Sequence, residues 1–161
     1  LEYEFTTNKI KTQEALENVC KLSSFQGRWQ IFCKAPLVIG DVGHNEEGLR
    51  LITKELAKYS KKIHFILGFV EDKDLSKIIP ILPTNSTYSF VKPDVIRGMN
   101  PDKTKAIFES YSIQGEAFLN LEIAIKNRFE QIPKNELIFV GGSNFIIADL
   151  LKLKDNKQLP F

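Results

Sequence analysis

Apolar positions along this chain follow two rhythms. Short continuous apolar runs alternate with longer stretches in which apolar residues recur every three or four positions. The runs predict strands and the spaced stretches predict helices. Residues 8–23 predict a helix, with Ile10, Ala15, Leu16, Val19 and Leu22 in a stripe between charges. Ser23, Ser24 and Gly27 end it. Arg28–Cys33 and Pro36–Asp41 predict two strands. The second holds a continuous Leu37-Val38-Ile39 run that suits burial on both faces. Asn45–Tyr59 predicts an amphipathic helix with Leu49, Ile52, Leu56 and Tyr59 on one side.

The rhythm continues to the end of the chain. Lys62–Val70 predicts a strand, closed by Gly68 and the polar group Glu71-Asp72-Lys73-Asp74. A short helix to Ile79 stops before Pro80 and Pro83. Ser86–Val91 predicts a strand. Asn100 and Pro101 predict a cap and first position for a helix reaching Tyr111. Glu116–Leu119 predicts a weak strand. Asn120–Ile132 predicts a helix with Leu121, Ala124, Ile125, Phe129 and Ile132 on one face. Glu136–Val140 predicts the last strand. Gly141-Gly142-Ser143 then turns the chain into an apolar helix reaching Leu151, and the tail after Lys154 is expected to fray. Strands alternating with helices at this spacing predict an α/β fold, a mostly parallel sheet flanked by helices.

Composition narrows the function classes. A chain of 161 residues fits one domain with a substantial core. Net charge is +2 with both signs interspersed, so no basic stripe marks a nucleic-acid surface. No apolar run approaches the ~18 residues of a membrane span. No secretory signal opens the chain, which predicts a cytoplasmic location. Leu1 in place of Met predicts a fragment or a processed chain. Cys20 and Cys33 lack the spacing of a redox or zinc motif and read as reduced thiols. Asn85-Ser86-Thr87 matches a glycosylation sequon, but without a signal it reads as a polar loop.

In an open parallel sheet, ligands bind beyond the carboxyl ends of the strands. Three polar clusters fall at such ends: Asp41–Asn45, Asp72–Asp74 and Gly142–Asn144. A parallel sheet gathers all three on one rim. Helix capping offers another account of Asp72 or Asp74, of Ser143 and of Asn45. His44 alone reads as a loop histidine. Capping does not explain Asp41, which ends an apolar strand. A carboxylate there needs a partner, and a ligand hydroxyl or a cation would serve. The chain contains no phosphate-binding G-x-x-x-x-G-K-[ST], no G-x-G-x-x-G, no G-x-S-x-G and no H-E-x-x-H. A nucleotide role would therefore be shared with another domain.

Four segments resemble a known family. "GRWQIF…PLVIGDVGHNEEGLRLI" is similar to the G-R…D-G-A-H-N-P stretch of folylpolyglutamate synthase/dihydrofolate synthase, a branch of the Mur ligase superfamily. "FILGFVEDKD" resembles its L-G-x-x-x-D-K-D segment. "VKPDVIRGM" resembles its segment with Pro and Arg before a helix. "FVGGSNFIIADLL" resembles its last strand–turn–helix. They cover residues 27–151 in the family's order.

The resemblance implies a Rossmann-like Mur ligase C-terminal domain of a three-part enzyme. It divides the chain into 1–25, the tail of a central ATPase domain and linker; 26–154, the C-terminal domain; and 155–161, a tail. The implied reaction uses ATP to activate a folate or dihydropteroate carboxylate as an acyl phosphate, which the amine of L-glutamate attacks. ATP and magnesium are the implied cofactors, with the P-loop, the metal ligands and a modified lysine in the missing upstream domains. Arg28 matches a family arginine that contacts ATP, and Asp41 an aspartate that binds its ribose. His44, Lys73 and Ser143 match positions facing the amino acid or the transferred phosphate. No residue here carries catalysis by itself, and the isolated domain is expected to be inactive. The partners implied are the chain's own P-loop domain, the folate and glutamate, with no nucleic acid and no membrane, in a monomer. Two departures stand out: Val42-Gly43 replaces the family's Gly-Ala, and Glu46 its proline. A cell-wall Mur ligase domain and a non-catalytic α/β binding module are the alternative readings.

Overall fold

The computed structural model describes residues 9–18, 22, 23, 25–60 and 62–161. Helix α1 spans Lys9–Glu17. Val19 and Ser24, invoked in the sequence reading of the first helix and its end, and Cys20, read as a reduced thiol, lie outside the described residues. Strands β1 (Gln30–Lys34) and β2 (Leu37–Gly40) precede helix α2 (Glu46–Leu56). Strand β3 (Ile63–Leu67) leads through a single 3-10 turn, Ile79–Ile81, to β4 (Thr87–Phe90). Helix α3 (Pro101–Ser110), the short β5 (Glu116–Ala117) and helix α4 (Leu121–Gln131) follow. Strand β6 (Leu137–Gly141) and helix α5 (Asn144–Asp155) close the fold.

One six-stranded sheet runs β1-β2-β6-β3-β4-β5. Five strands are mutually parallel, and β1 alone runs antiparallel to its neighbour β2. Only two residues, Ala35 and Pro36, join β1 to β2. A parallel pair needs a crossover of a dozen residues or more, so this link forces a hairpin.

The continuous apolar runs reflect burial on both faces. Every residue of β3 and β6 is buried. Successive side chains point to opposite faces. Phe65, Leu67 and Phe139 join Leu49, Ile52, Leu56 and Phe108 from α2 and α3 in one layer. Ile66, Ile138 and Val140 join Ala124, Ile125, Ile146 and Leu150 from α4 and α5 in the other. The first layer is aromatic: Phe65 stacks on Tyr88 at 5.2 Å, and Phe90 meets Phe108 at 4.6 Å.

Three details depart from the sequence reading. Tyr59 lies beyond the end of α2 and is 51% exposed, its ring 6.1 Å from Trp29. The segment before Pro80 is turns and one 3-10 turn rather than a helix. The tail does not fray. Lys157 takes φ +56°, Gln158 N–H donates to Leu153 O, Leu159 packs on the α4–α5 layer, and Phe161 lies 5.2 Å from the Phe129 ring. Two apolar side chains after a left-handed helix stop bring the chain back onto the domain.

One buried polar group sits inside an apolar run. His64 in β3 is paired with Glu136 through Nε2, and its Nδ1 lies 2.6 Å from Thr87 Oγ1. These residues mark the amino ends of β3, β4 and β6, the edge opposite the polar clusters. Burial pushes the imidazole pKa down, and Glu136 opposes the shift.

Candidate functional site

The parallel sheet brings the three polar clusters to one rim. Hydrogen bonds between neighbouring strands run to their carboxyl ends. Asp41 N–H donates to Val140 O, Gly68 N–H to Gly141 O, and Val91 N–H to Leu67 O. The loops after β2, β6, β3 and β4 therefore stand side by side in that order.

Asp41 is buried at this rim, and backbone amides satisfy its carboxylate. Oδ2 accepts from Trp29 N–H at 2.7 Å, and Oδ1 accepts from Gly43 N–H at 2.6 Å. The partner it needs is thus supplied in part by the protein. The contact ties the entry to β1 onto the loop after β2, and Val42 N–H, donating to Gly27 O at 2.8 Å, reinforces it. Trp29 adopts φ +44° to present its N–H. Such a backbone costs of order 1–3 kcal/mol, and the carboxylate offsets it. Gly43 is small for a reason: a Cβ there would lie 2.4 Å from Ile52 Cδ1 and 3.0 Å from Asp41 Oδ1.

Arg28 lies between Gly27 and Trp29 on this moulded turn. Its side chain is exposed, with the guanidinium 5.5 Å from the Phe25 ring centroid. The structure thus brings the Arg28 segment to Asp41. His44 is exposed on the next turn, with Nδ1 3.0 Å from Val42 O. Asn45 caps α2 by accepting from Gly48 N–H. Glu46 in the first turn pairs with Arg50 at 2.9 Å, which absorbs the charge introduced by this departure from the family pattern.

Ser143 follows β6. It is buried and accepts from Ile146 N–H at 3.3 Å, so capping accounts for its hydroxyl. Gly142 before it takes φ +97°. Lys73 lies in the loop after β3. It is half-buried and makes no ion pair among the described residues. Asp74 caps the turn at Ser76 N–H and stays below the usual carboxylate range through Ser76 hydrogen bonding. Asp72 caps nothing; it pairs with Arg97 at 3.2 Å. Arg97 is a rim residue to which the sequence reading gave no role, although it lies in a quoted segment. No periodic pattern flags a residue in a loop. Its guanidinium sits 5.2 Å from the Phe145 ring centroid. Lys103 pairs with Glu71 and holds that carboxyl below its usual range.

A cleft of about 510 Å³ opens at the far end of this rim, between the loops after β4 and β5 and helix α5. It contains none of the five residues named from sequence. Among the described residues, no group of three or more His, Cys, Asp or Glu side chains is placed to hold a metal ion. No helix there is long and apolar enough to cross a membrane.

The sequence pattern of the family described as Mur ligase, glutamate ligase domain matches residues 27–144. The chain belongs to that family. A dihydrofolate synthase/folylpolyglutamate synthase of Buchnera aphidicola is 27% identical over 149 residues, covering 91% of this chain and 36% of the relative. Three solved structures share the fold. A bifunctional folylpolyglutamate synthase/dihydrofolate synthase of Yersinia pestis, complexed with AMPPNP and Mn ion, aligns with TM-score 0.77 and 20% identity over 94% of this chain and 36% of that one. A bifunctional synthase of the same description, with Mn, AMPPNP and L-glutamate bound, aligns with TM-score 0.77 at 21% identity and the same coverage. E. coli FolC in complex with DHPP and ADP aligns with TM-score 0.70 and 20% identity over 83% of this chain and 32% of that one. The chain thus spans about a third of the length of these proteins. The glutamate ligase domain match ends at Asn144, in the first turn of α5, so it takes in every rim loop described above.

Proposed function

We propose that this chain is the C-terminal domain of an ATP-dependent ligase that joins L-glutamate to a folate or dihydropteroate carboxylate. The observation that carries the reading is the Asp41 carboxylate, fixed at the sheet rim and bonded to the turn bearing Arg28. Each carboxylate oxygen accepts one backbone N–H and retains a second lone pair for a ribose hydroxyl. The Arg28 guanidinium suits phosphate oxygens. The relatives named above support the folate branch of the family over its cell-wall branch and over a non-catalytic binding module.

In this reading residues 1–25 belong to the tail of a central P-loop ATPase domain and its linker, 26–154 form the C-terminal domain, and 155–161 are its tail. The upstream domain holds Mg and most of ATP, in a monomer. ATP supplies a phosphoryl group to the acceptor carboxylate, and the glutamate amine then displaces phosphate to form the amide. This chain contributes Arg28 and Asp41 toward ATP. His44, Lys73 and Ser143 face the amino acid or the transferred phosphate, Ser143 through the helix turn that it caps.

The isolated domain has little to bind with. Two charged hydrogen-bonding groups contribute about 1.5–3 kcal/mol each, against an association cost of roughly 4 kcal/mol or more. Millimolar or weaker ATP binding and no ligase activity follow. Calorimetric titration of this chain tests the first point, and micromolar affinity would contradict it. The full-length protein, assayed for ATP-dependent phosphate release with glutamate plus dihydropteroate, tetrahydrofolate or a muramyl precursor, tests the reading. Turnover with a pteroate or folate acceptor supports it. Turnover with the muramyl precursor alone, or a parent reading frame without G-T-N-G-K-[ST], rejects it.

A further inference from the structure

We infer that Asp149, in the second turn of α5, is a positioning residue: it pins the loop after β4 to the helix, and that loop in turn holds the Lys73 loop in place; this rests on the ligase reading above. Asp149 Oδ2 accepts from Asp94 N–H at 2.9 Å, a bond between residues 55 positions apart. Both residues line the cleft at the far end of the rim. Asp149 therefore acts from outside the group of residues named from sequence.

The loop it pins has no ladder of its own. Residues 91–97 form neither helix nor strand. Val95 N–H donates to Pro93 O at 2.7 Å and Gly98 N–H to Val95 O at 2.9 Å, which folds the segment into tight turns. Its outgoing limb is tied to α5 at Asp149. Its returning limb touches α5 again, where the Arg97 guanidinium lies over Phe145. Phe145 and Asp149 are four positions apart and so share one face of the helix. The returning limb is also sewn to the neighbouring loop: Glu71 N–H donates to Arg97 O and Met99 N–H to Phe69 O, both at 2.9 Å. Lys73 N–H donates to Val70 O at 3.0 Å within that neighbour. A shift at Asp94 is thus passed along a chain of backbone bonds to Lys73.

Other accounts of this carboxylate fall short. Ser143 already caps α5, and Asp149 lies beyond the first turn, where an acid would complement the helix dipole. Aspartate is also a poor former of helix interiors. The side chain is only 14% exposed, and burial pushes its pKa up against the opposing effects of Asp94 N–H and Lys152. Lys152 stands 3.8 Å away and is 65% exposed. An exposed partner at that distance contributes little. The bond to Asp94 N–H is what keeps a carboxylate at this position.

The test compares full-length protein carrying Asp149→Ala or Asp149→Asn with the parent, by amide exchange read by mass spectrometry and by steady-state kinetics with ATP and glutamate varied separately. In Asp149→Ala, exchange across residues 92–99 should quicken about ten-fold or more. KM for glutamate should rise about three- to ten-fold while KM for ATP stays within about two-fold. Asp149→Asn keeps a neutral acceptor oxygen and should fall between the parent and Asp149→Ala. A lower Tm in Asp149→Ala with both KM values unchanged overturns the inference, since the residue would then be merely structural. Equal rises in the two KM values overturn it as well, because the whole rim would have loosened. So does Asp149→Asn matching Asp149→Ala, since the acceptor would not be what matters. Where Asp149→Ala does not fold, Asp149→Asn must still show faster exchange at 92–99 and a raised KM for glutamate, and its matching the parent overturns the inference. A wild-type protein that turns over no ATP with glutamate and any folate acceptor instead overturns the ligase reading itself.

Discussion

Removing the Asp41 carboxylate should loosen the fold before it affects any ligand. In Asp41→Ala, Trp29 N–H and Gly43 N–H lose their acceptor together. Hydrogen bonds to a charged group contribute about 1.5–3 kcal/mol each. Water can reach part of this rim and the two bonds share one group, so the joint cost is about 2–4 kcal/mol. Trp29 also loses the contact that offsets its positive φ, so the entry to β1 should relax first. For a chain of this size, that corresponds to a fall in Tm of roughly 4–16 °C. Asp41→Asn keeps one acceptor oxygen and places an NH2 against the other amide, so it should cost about half as much. Urea unfolding read by Trp29 fluorescence is the assay, since Trp29 is the single tryptophan of the chain and sits at the perturbed contact. An Asp41→Ala chain within about 0.5 kcal/mol of the parent refutes the reasoning. The result also decides how enzyme kinetics should be read. A ribose contact is marked by a raised KM for ATP in a folded Asp41→Asn protein, because lost activity in Asp41→Ala has a structural cause available.

Stability should fall in acid through His64. Burial lowers its folded pKa below the ordinary value of about 6.5, Lys62 and Arg128 act in the same direction, and Glu136 opposes them. A lowered pKa means that the fold favours neutral imidazole. The contribution is present above about pH 6.5 and is lost as pH falls toward the folded value. Urea midpoints at about pH 7.5 and pH 5 should differ more for the parent than for His64→Gln, and equal differences would exclude His64 as the source. Gly142→Ala should cost about 1–3 kcal/mol, because φ is +97° and the new Cβ would lie 2.9 Å from Phe69 and 3.0 Å from Gly68 O. Thermal unfolding measures this, and a neutral result would remove the conformational demand. Deleting residues 157–161 should cost roughly 1–2 kcal/mol by uncovering apolar surface on α4 and α5, and an unchanged Tm would return the tail to a dangling segment.

The layers were legible because buried parallel strands leave a strong trace. Phe65-Ile66-Leu67 reads as one apolar run, and the alternation of strand faces divides it between two helical layers. The direction of β1 was also available, in the two residues between Lys34 and Leu37, although periodicity alone does not express it. Asp41 could be singled out from its position at the end of an apolar strand. Its amide partners could not, because they depend on the left-handed turn at Trp29. Arg97 lay beyond reach for a related reason: its setting comes from Asp72, on the loop after β3, and Phe145, in the first turn of α5. The tail misled because Leu159 and Phe161 are too few to make a pattern, yet each finds an apolar neighbour in the folded chain.

The β1–β2 hairpin has a practical consequence. Its open end carries Arg28 and Asp41, and its closed end carries Lys34 and Ala35, both exposed. A five-residue strand at ~3.3 Å per residue separates the two ends by about 17 Å. The ribbon is paired from Gln30 and Gly40 to Lys34 and Leu37 with one irregularity between Ile31 and Cys33, so its tip follows the rim. A fluorophore at Ala35 would therefore work as a pointer: in the full-length ligase proposed above, it would report rotation of this domain while staying clear of the rim.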